Sequence, residues 1–99
     1  MKKSYVIAIV TNASYSTELS FYTAFEDMSE QMQQETNPDH KDYEYGKRYA
    51  NGIFGGIKGA TKYESEDEAI KNVGIAQEAH KLSRLNSYVG HYMIFPVVS

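Results

Sequence analysis

The pattern of apolar and polar residues predicts a strand near each end of the chain. The β-branched run Tyr5–Val10 is bounded by polar residues, which is typical of a buried strand. The run Tyr88–Val98 is also β-branched and aromatic, and it predicts the last strand. Pro96 near its end indicates an edge position or a strand terminus. Because these are the most apolar runs, we expect them to lie side by side at the centre of a sheet.

Two patterns compete over Thr17–Glu35, after a polar run, Thr11–Glu18, that predicts a turn. A spacing of four, three and four places four apolar side chains on one helix face: Phe21, Phe25, Met28 and Met32. We therefore predict a helix over the whole segment, with Ser16 as its N-cap. The alternative is a strand over 19–25, where apolar and polar side chains alternate, followed by a shorter helix. In both cases Pro38 and its neighbours end the helix.

The middle of the chain is rich in glycine and tyrosine and predicts irregular structure. Asp42–Tyr49 suits a short strand or an ordered loop, and Asn51-Gly52 is a tight-turn signal. Ala60–Tyr63 suits another short strand. Three further glycines lie between these segments: Gly55, Gly56 and Gly59.

The clearest local signal is the start of a helix at Ser65. Ser65 and Glu68 have the spacing of a capping box, and three carboxylates occupy the first turn, where the helix dipole favours negative charge. An apolar stripe follows that begins with Ala69 and Ile70, and Asn86 is suited to end the helix. The sequence therefore predicts one α+β domain over residues 1–99. Its antiparallel or mixed sheet would have two helices packed on it and the first and last strands central.

Composition excludes several classes of function. The 99 residues contain no cysteine, which excludes disulfides, thiolate nucleophiles and cysteine-based metal sites. The three histidines share no metal-ligand spacing and no nucleophile motif is present, so we expect no metal, no cofactor and no enzymatic activity. The apolar run after Lys2 and Lys3 is shorter than the core of a signal peptide or a membrane span. We therefore expect a cytoplasmic protein that does not cross a membrane.

Charge is divided into blocks along the chain. Residues 18–44 hold eight acidic residues and one lysine, whereas residues 47–62 hold four basic residues and no acidic one. Separate patches of this kind steer the association of proteins, and tyrosine and arginine are common interface anchors. We therefore predict a surface that docks onto a protein partner. Its anchors would be Tyr43, Tyr45, Arg48 and Tyr49, and its steering charges Glu26, Asp27 and Glu30.

The segment 43–62 supports a second interpretation, nucleotide or nucleic-acid binding. Aromatic rings stack on bases, cations bind phosphates, and glycine allows the backbone to approach closely. The segment is not a P-loop, because Ile57 and Gly59 flank Lys58 where glycine and a hydroxyl residue are required. The candidate residues are Tyr45, Lys47, Arg48, Gly56 and Lys58. A third interpretation is a self-assembling structural subunit, a homo-oligomer held together by an apolar interface.

Three segments carry a resemblance to a known group of proteins. These are Tyr5–Val10, the stretch Ala60–Ala69 with the pattern A-x-K-Y-x-S-x-[DE]-E-A, and Tyr92–Val98, which ends near Pro-Val. In them the chain resembles small proteins of bacteriophages and prophages. The resemblance covers under a third of the chain, has no counterpart for residues 16–59 and assigns no functional residue. It implies a small α+β protein that inhibits a host component, such as a defence or regulatory factor, by binding it.

Overall fold

Four strands form a single antiparallel sheet. The computed structural model describes residues 2–13, 16–83 and 89–98. The strands are β1 Lys3–Ala13, β2 Ser16–Thr23, β3 Ile53–Gly55 and β4 Gly90–Val98. Their order in the sheet is β3-β2-β1-β4, and all three pairings are antiparallel. Together with the helices packed on this sheet, the arrangement confirms the predicted α+β class.

The helices and short turns of the described chain lie between β2 and β4. The α-helices are α1 Glu30–Glu35, α2 Tyr43–Gly46 and α3 Glu66–Leu82. Single turns of 3-10 helix occur at Phe25–Asp27, Lys47–Tyr49 and Ile57–Gly59. The sequence predicts the helices that become α1 and α3, whereas α2 is an additional short helix.

The predicted start of α3 is confirmed. The Ser65 hydroxyl accepts a hydrogen bond from the Glu68 amide at 3.1 Å. In return, the Glu68 carboxylate accepts from the amide of Glu64 at 3.2 Å, one residue earlier than a standard capping box requires. The helix ends at Leu82, before Asn86, which lies outside the described residues.

The first and last strands are neighbours, as predicted. β1 and β4 pair from Lys3 opposite Val98 to Thr11 opposite Gly90. The sequence predicts that the first and last strands lie at the centre of the sheet. In the strand order, β1 has a neighbouring strand on each side, and β4 lies next to β1. Pro96 accounts for this position. Its partner Tyr5 exchanges backbone hydrogen bonds with Tyr63 on the far side of β1, so the nitrogen of Pro96 faces the outer edge, where no donor is needed.

The predicted helix over Thr17–Glu35 is wrong as far as Ser29, and the alternative of a strand followed by a shorter helix is confirmed. Residues 16–23 form β2, which pairs with β1 from Phe21 opposite Ala8 to Ser16 opposite Ala13. The helix begins only at Glu30, where the Ser29 hydroxyl accepts from the amide of Met32 at 3.3 Å. The turn predicted over 11–18 is accordingly shorter, because both strands extend into it. Pairing with β1 outweighs the helical spacing of the apolar residues.

Of three predictions for the middle of the chain, one is wrong, one holds for a single residue and one is confirmed. Asp42–Tyr49, predicted as a short strand or an ordered loop, is instead helical, because α2 and a 3-10 turn occupy it. In Ala60–Tyr63, only Tyr63 pairs as in a sheet, through an isolated bridge to Tyr5. The turn signal at Asn51-Gly52 is confirmed, since Gly52 has a φ of 107°.

Helix α3 packs on one face of the sheet through small side chains. The buried cluster on that face consists of Ile7, Tyr22, Ala24, Tyr63, Ala69, Ala76 and Ala79. The alanines bring the helix close to the sheet and leave little volume to fill. Ile70, which the predicted apolar stripe includes, is 53% exposed and contributes nothing to this core.

Gly52 is expected to be required by its backbone conformation. Gly52→Ala should lower the free energy of unfolding by about 2 kcal/mol or more, because alanine is strained at positive φ and its Cβ would meet the Tyr22 ring and the Thr23 carbonyl. Gly56→Ala is the matched control, since Gly56 has negative φ and an added Cβ meets nothing within 4 Å. Urea unfolding measures both. Equal losses in the two variants would contradict the assignment.

Removal of two buried tyrosine hydroxyls should affect the free energy of unfolding differently. Tyr22→Phe should lower the free energy of unfolding by about 1 kcal/mol, because the Tyr22 hydroxyl donates a 2.6 Å hydrogen bond to the Asn51 carbonyl. Tyr63→Phe should leave it unchanged or raise it, because the Tyr63 hydroxyl is buried with no hydrogen-bond partner among the described residues. Urea unfolding distinguishes them, and a larger loss for Tyr63→Phe would contradict this account.

Candidate functional site

A cleft of about 370 Å³ opens beside β3. It exists because β3 is three residues long and pairs only with Phe21–Thr23. On the side away from β1, the first half of β2 therefore has no strand next to it among the described residues. Glu18 and Ser20 from that half of β2 form one wall. The remaining lining residues come from the helices, the turns and β3: Met32, Tyr45, Arg48, Tyr49, Gly52, Ile53, Phe54, Gly55 and Ser83.

The segment from α2 to β3 is held in place by two glycines and one tyrosine. A side chain at Gly46 would overlap the backbone of Glu35, so α2 crosses the end of α1 at the closest approach that the backbone allows. Gly52 turns the chain into β3, and the Tyr22 hydroxyl anchors the preceding residue, Asn51. These contacts fix the 3-10 turn that carries Arg48 at the mouth of the cleft.

Tyr45, Arg48 and Tyr49 form an aromatic–arginine cluster at this mouth. The Tyr45 and Tyr49 rings meet edge to face, with centroids 5.7 Å apart and an interplanar angle of 79°. The Arg48 guanidinium carbon lies 5.7 Å from the centroid of Tyr45, within the range of a cation–π contact. Tyr45 is 60% exposed, whereas Tyr49 is half-buried. The cluster therefore presents an ordered flat ring and a cation to solvent.

The Tyr49 hydroxyl stays protonated at neutral pH. Burial raises the pKa of Tyr49 to about 12, and the neighbouring Tyr45 hydroxyl and Glu35 add to the increase, while Arg48 acts in the opposite direction. A protonated phenol both donates and accepts hydrogen bonds. Tyr49 is thus suited to binding a polar group of a ligand rather than to acting as a base.

The predicted steering charges lie apart from the cleft. Glu26 and Asp27 belong to the 3-10 turn after β2, Glu30 begins α1, and all three are exposed. Asp27 also has a structural contact, because its carboxylate accepts a 2.7 Å hydrogen bond from Thr61. Glu26 borders a second, smaller cleft of about 170 Å³. These three carboxylates are exposed, and none of them lines the cleft that holds the cluster.

The structure brings three of the four predicted anchors together. Tyr45, Arg48 and Tyr49 share the cleft, whereas Tyr43 is half-buried and is not part of its lining. Three lining residues are not predicted as site residues from the sequence, because they reach the cleft only through sheet pairing: Glu18, Ser20 and Phe54. The alternation that supports a strand over this region is the signal that places Glu18 and Ser20 on one face.

The residues predicted for nucleotide binding are dispersed. Tyr45 and Arg48 line the cleft. Lys47 instead forms a 2.9 Å ion pair with Glu44, and this hydrogen-bonded ammonium lowers the pKa of the Glu44 carboxyl. Gly56 and Lys58 lie after β3 in an exposed segment outside the cleft lining. One cation of this set, Arg48, therefore reaches the cleft.

Other kinds of site were sought across the described ranges 2–13, 16–83 and 89–98. Within them, no three His, Asp or Glu side chains are grouped so as to hold a metal ion. No helix in the same ranges is both long enough and apolar enough to cross a bilayer. Comparisons of the chain with protein families, with curated proteins and with solved structures found no match.

Proposed function

We propose that this protein is a small non-enzymatic binding domain that docks onto another protein through the aromatic–arginine cluster. The observation that carries the proposal is the placement of Arg48 and two edge-to-face tyrosines together in the lining of one cleft. Tyrosine and arginine dominate the energetics of protein interfaces. Tyrosine adds a large contact area at low cost in conformational entropy.

The cleft suits a protein segment that carries an apolar or aromatic side chain next to an acidic one. Phe54 and Met32 offer apolar surface, and the exposed Arg48 offers a charged donor for a carboxylate. On the opposite wall, the Glu18 carboxylate can accept hydrogen bonds from a backbone amide of the partner. The volume of about 370 Å³ is at the small end for ligand pockets, which suits one or two side chains.

The partner is further proposed to carry a basic surface near its acidic and aromatic residues. Glu26 and Glu30 project from the exposed turn and from the first residue of α1. Charges at the rim of an interface raise the association rate more than they raise affinity. These carboxylates would therefore guide the approach while the cluster supplies the contact.

The phage resemblance of the strands and of the α3 start supports a host protein as the partner. In that setting the domain would act in the host cytoplasm, as an inhibitor that occupies a functional surface of its target. An anti-defence role is the specific form of this proposal. It rests on the resemblance, while the docking surface rests on the cluster.

Nucleotide or nucleic-acid binding is the second candidate, and one observation favours it. Tyr45 and Arg48 line the same cleft, so a base could stack on the ring while a phosphate meets the guanidinium. The other proposed cations and Gly56 lie elsewhere, which leaves a single positive charge for the phosphates. Protein docking is therefore the better supported function.

Substitution of the cluster should remove partner binding. Tyr45→Ala and Arg48→Ala are each expected to weaken the complex at least about tenfold, because both remove an anchor of the cleft mouth. Lys58→Ala is the matched control, since it removes an exposed cation outside the cleft. Host lysate is passed over the immobilised protein and its variants, and affinities for the captured protein are then measured by calorimetry.

The outcomes of this experiment separate the candidate functions. A captured protein that binds Tyr45→Ala and Lys58→Ala equally well would contradict docking through the cluster. Nucleotides and short oligonucleotides are titrated in parallel to millimolar concentration while tyrosine ring resonances are followed. Shifts confined to Tyr45 and Tyr49 would establish the second candidate instead.

Charge reversal should slow association without abolishing it. Glu26→Lys together with Glu30→Lys is expected to lower the association rate constant by about tenfold at low salt, with a smaller loss at high salt. Asp27 is left intact because it bonds Thr61. Stopped-flow kinetics with the captured partner at two ionic strengths measures the effect. An unchanged association rate at low salt would remove the steering role.

A further inference from the structure

We propose that the partner protein inserts an extended segment at the cleft, where the segment pairs with β2 as an added strand. This inference rests on the proposed function, because it names the form in which the partner binds the same site. The surface that receives the segment is called the β2 edge. It is the backbone of residues 16–20 on the side away from β1.

The register of the sheet determines which backbone groups lie at the β2 edge. Tyr5 of β1 exchanges both of its backbone hydrogen bonds with Tyr63, at 2.9 and 2.8 Å, on the side away from β4. Because backbone groups alternate along a strand, Ile9 directs its N–H and C=O to that same side, toward Ser20 of β2. Leu19, the neighbour of Ser20, therefore turns its N–H and C=O to the opposite side, which is the β2 edge.

The outward backbone groups at the start of β2 lack a strand partner. β3 ends at Gly55, opposite Phe21, so its pairing stops before it reaches Leu19. Thr17 has the same orientation as Leu19, two residues away. Across the described ranges, no strand pairs with either residue on that side. The two residues together present two donors and two acceptors at the spacing of a β-strand, and an extended peptide backbone matches all four.

The line of β3 is open beyond its last residue. After Gly55 the chain leaves the sheet and enters the 3-10 turn at Ile57–Gly59. A Cβ added at Gly55 or at Gly56 would meet nothing within 4 Å, so the described chain leaves room where the new segment would begin. A segment that continues this line along residues 16–20 would be about 17 Å long, at about 3.4 Å per residue.

Alternate side chains of the added segment would enter the cleft. Glu18 and Ser20 line the cleft from β2, and Phe54 lines it from β3. The segment residue opposite Ser20 would follow Phe54 in line on that face, which suits an apolar or aromatic side chain. Arg48 in the same lining suits an acidic side chain of the segment. Backbone pairing would supply the common part of the affinity, and these contacts would supply the specificity.

The charge of Glu18 favours a segment of another protein over a second copy of this chain. A two-fold pairing of two β2 edges that joins Leu19 of one copy to Thr17 of the other is centred on Glu18. It would place two Glu18 side chains directly opposite each other, and like charges at opposed positions destabilise a strand pair. A partner segment avoids this repulsion with a neutral or basic residue opposite Glu18.

Removal of one outward donor tests the strand pairing. The probe is a set of peptides selected on the immobilised full chain from a library of random linear dodecapeptides. Leu19→Pro should lower their affinity at least about tenfold, because proline has no N–H to donate and the bonds to β1 are kept. Leu19→Thr keeps the amide and should lose less. Calorimetry measures the affinities.

The matched control is Val98→Pro at the other edge of the sheet. Val98 is 57% exposed and Leu19 51% exposed. Val98 lies two residues after Pro96, so its N–H also faces outward. Peptide affinity should be unchanged in Val98→Pro. Equal losses in Val98→Pro and Leu19→Pro, or no loss in Leu19→Pro, would overturn the β2 edge as the binding surface.

Amide hydrogen exchange tests the same inference on the wild-type protein and does not depend on the stability of a variant. Saturation with a selected peptide should slow exchange of the Leu19 and Thr17 amides at least about tenfold, because both gain a carbonyl partner. The amides of Glu18 and Ser20 already face β1 and should change less. Bound peptide that leaves the Leu19 amide exchanging as before would overturn strand addition.

The cluster variants distinguish this inference from the proposed function. Peptide binding that is lost in Leu19→Pro and retained in Tyr45→Ala and Arg48→Ala would support strand addition and contradict docking through the cluster. The reverse result would support the cluster and overturn strand addition. Selection that enriches no peptide over a surface without the protein would also overturn strand addition, while the partner capture described above would still test the cluster.

Discussion

Strand β1 is hydrogen-bonded along both edges and covered on both faces, and the rest of the structure depends on this constraint. Both edges of this strand are hydrogen-bonded, to β2 and to β4. Both faces are covered as well, since α3 packs on Ile7 while the Phe21 and Phe95 rings close over Ala8. Four consecutive residues, Val6 to Ile9, are fully buried as a result. This explains why the run is continuously apolar and lacks the alternation of apolar and polar residues that a strand with one solvent-exposed face shows.

Local signals could be predicted from the sequence, and pairings between distant segments could not. The α3 start depends on residues three apart, Ser65 and Glu68, so its cap is visible in the chain. The sequence of β2 is ambiguous because its apolar residues fit both the spacing of a helix face and the alternation of a strand. Only pairing with β1 decides between the two. The same limit applies to the site. Tyr45, Arg48 and Tyr49 lie within five residues, whereas Glu18 and Phe54 join them through the shortness of β3.

The charge blocks remain largely separate in the folded chain. Within the described ranges, the ion pair that joins the acidic block to the basic one is Glu44–Lys47, and surface pairs of this kind contribute about 0–1 kcal/mol. Asp27 is used internally, as the acceptor for Thr61. Arg48 is directed onto the ring of Tyr45 rather than onto a carboxylate. The cation thus keeps its capacity to bind an anion from another molecule.

The outward-facing nitrogen of Pro96 has a consequence for growth of the sheet. An exposed outer strand normally offers a regular row of amides and carbonyls on which foreign strands can be added one after another. On β4 that row lacks one donor near its end, because Pro96 faces outward there. A strand added along β4 would therefore lose one hydrogen bond at that end, where the Pro96 nitrogen has no hydrogen to donate.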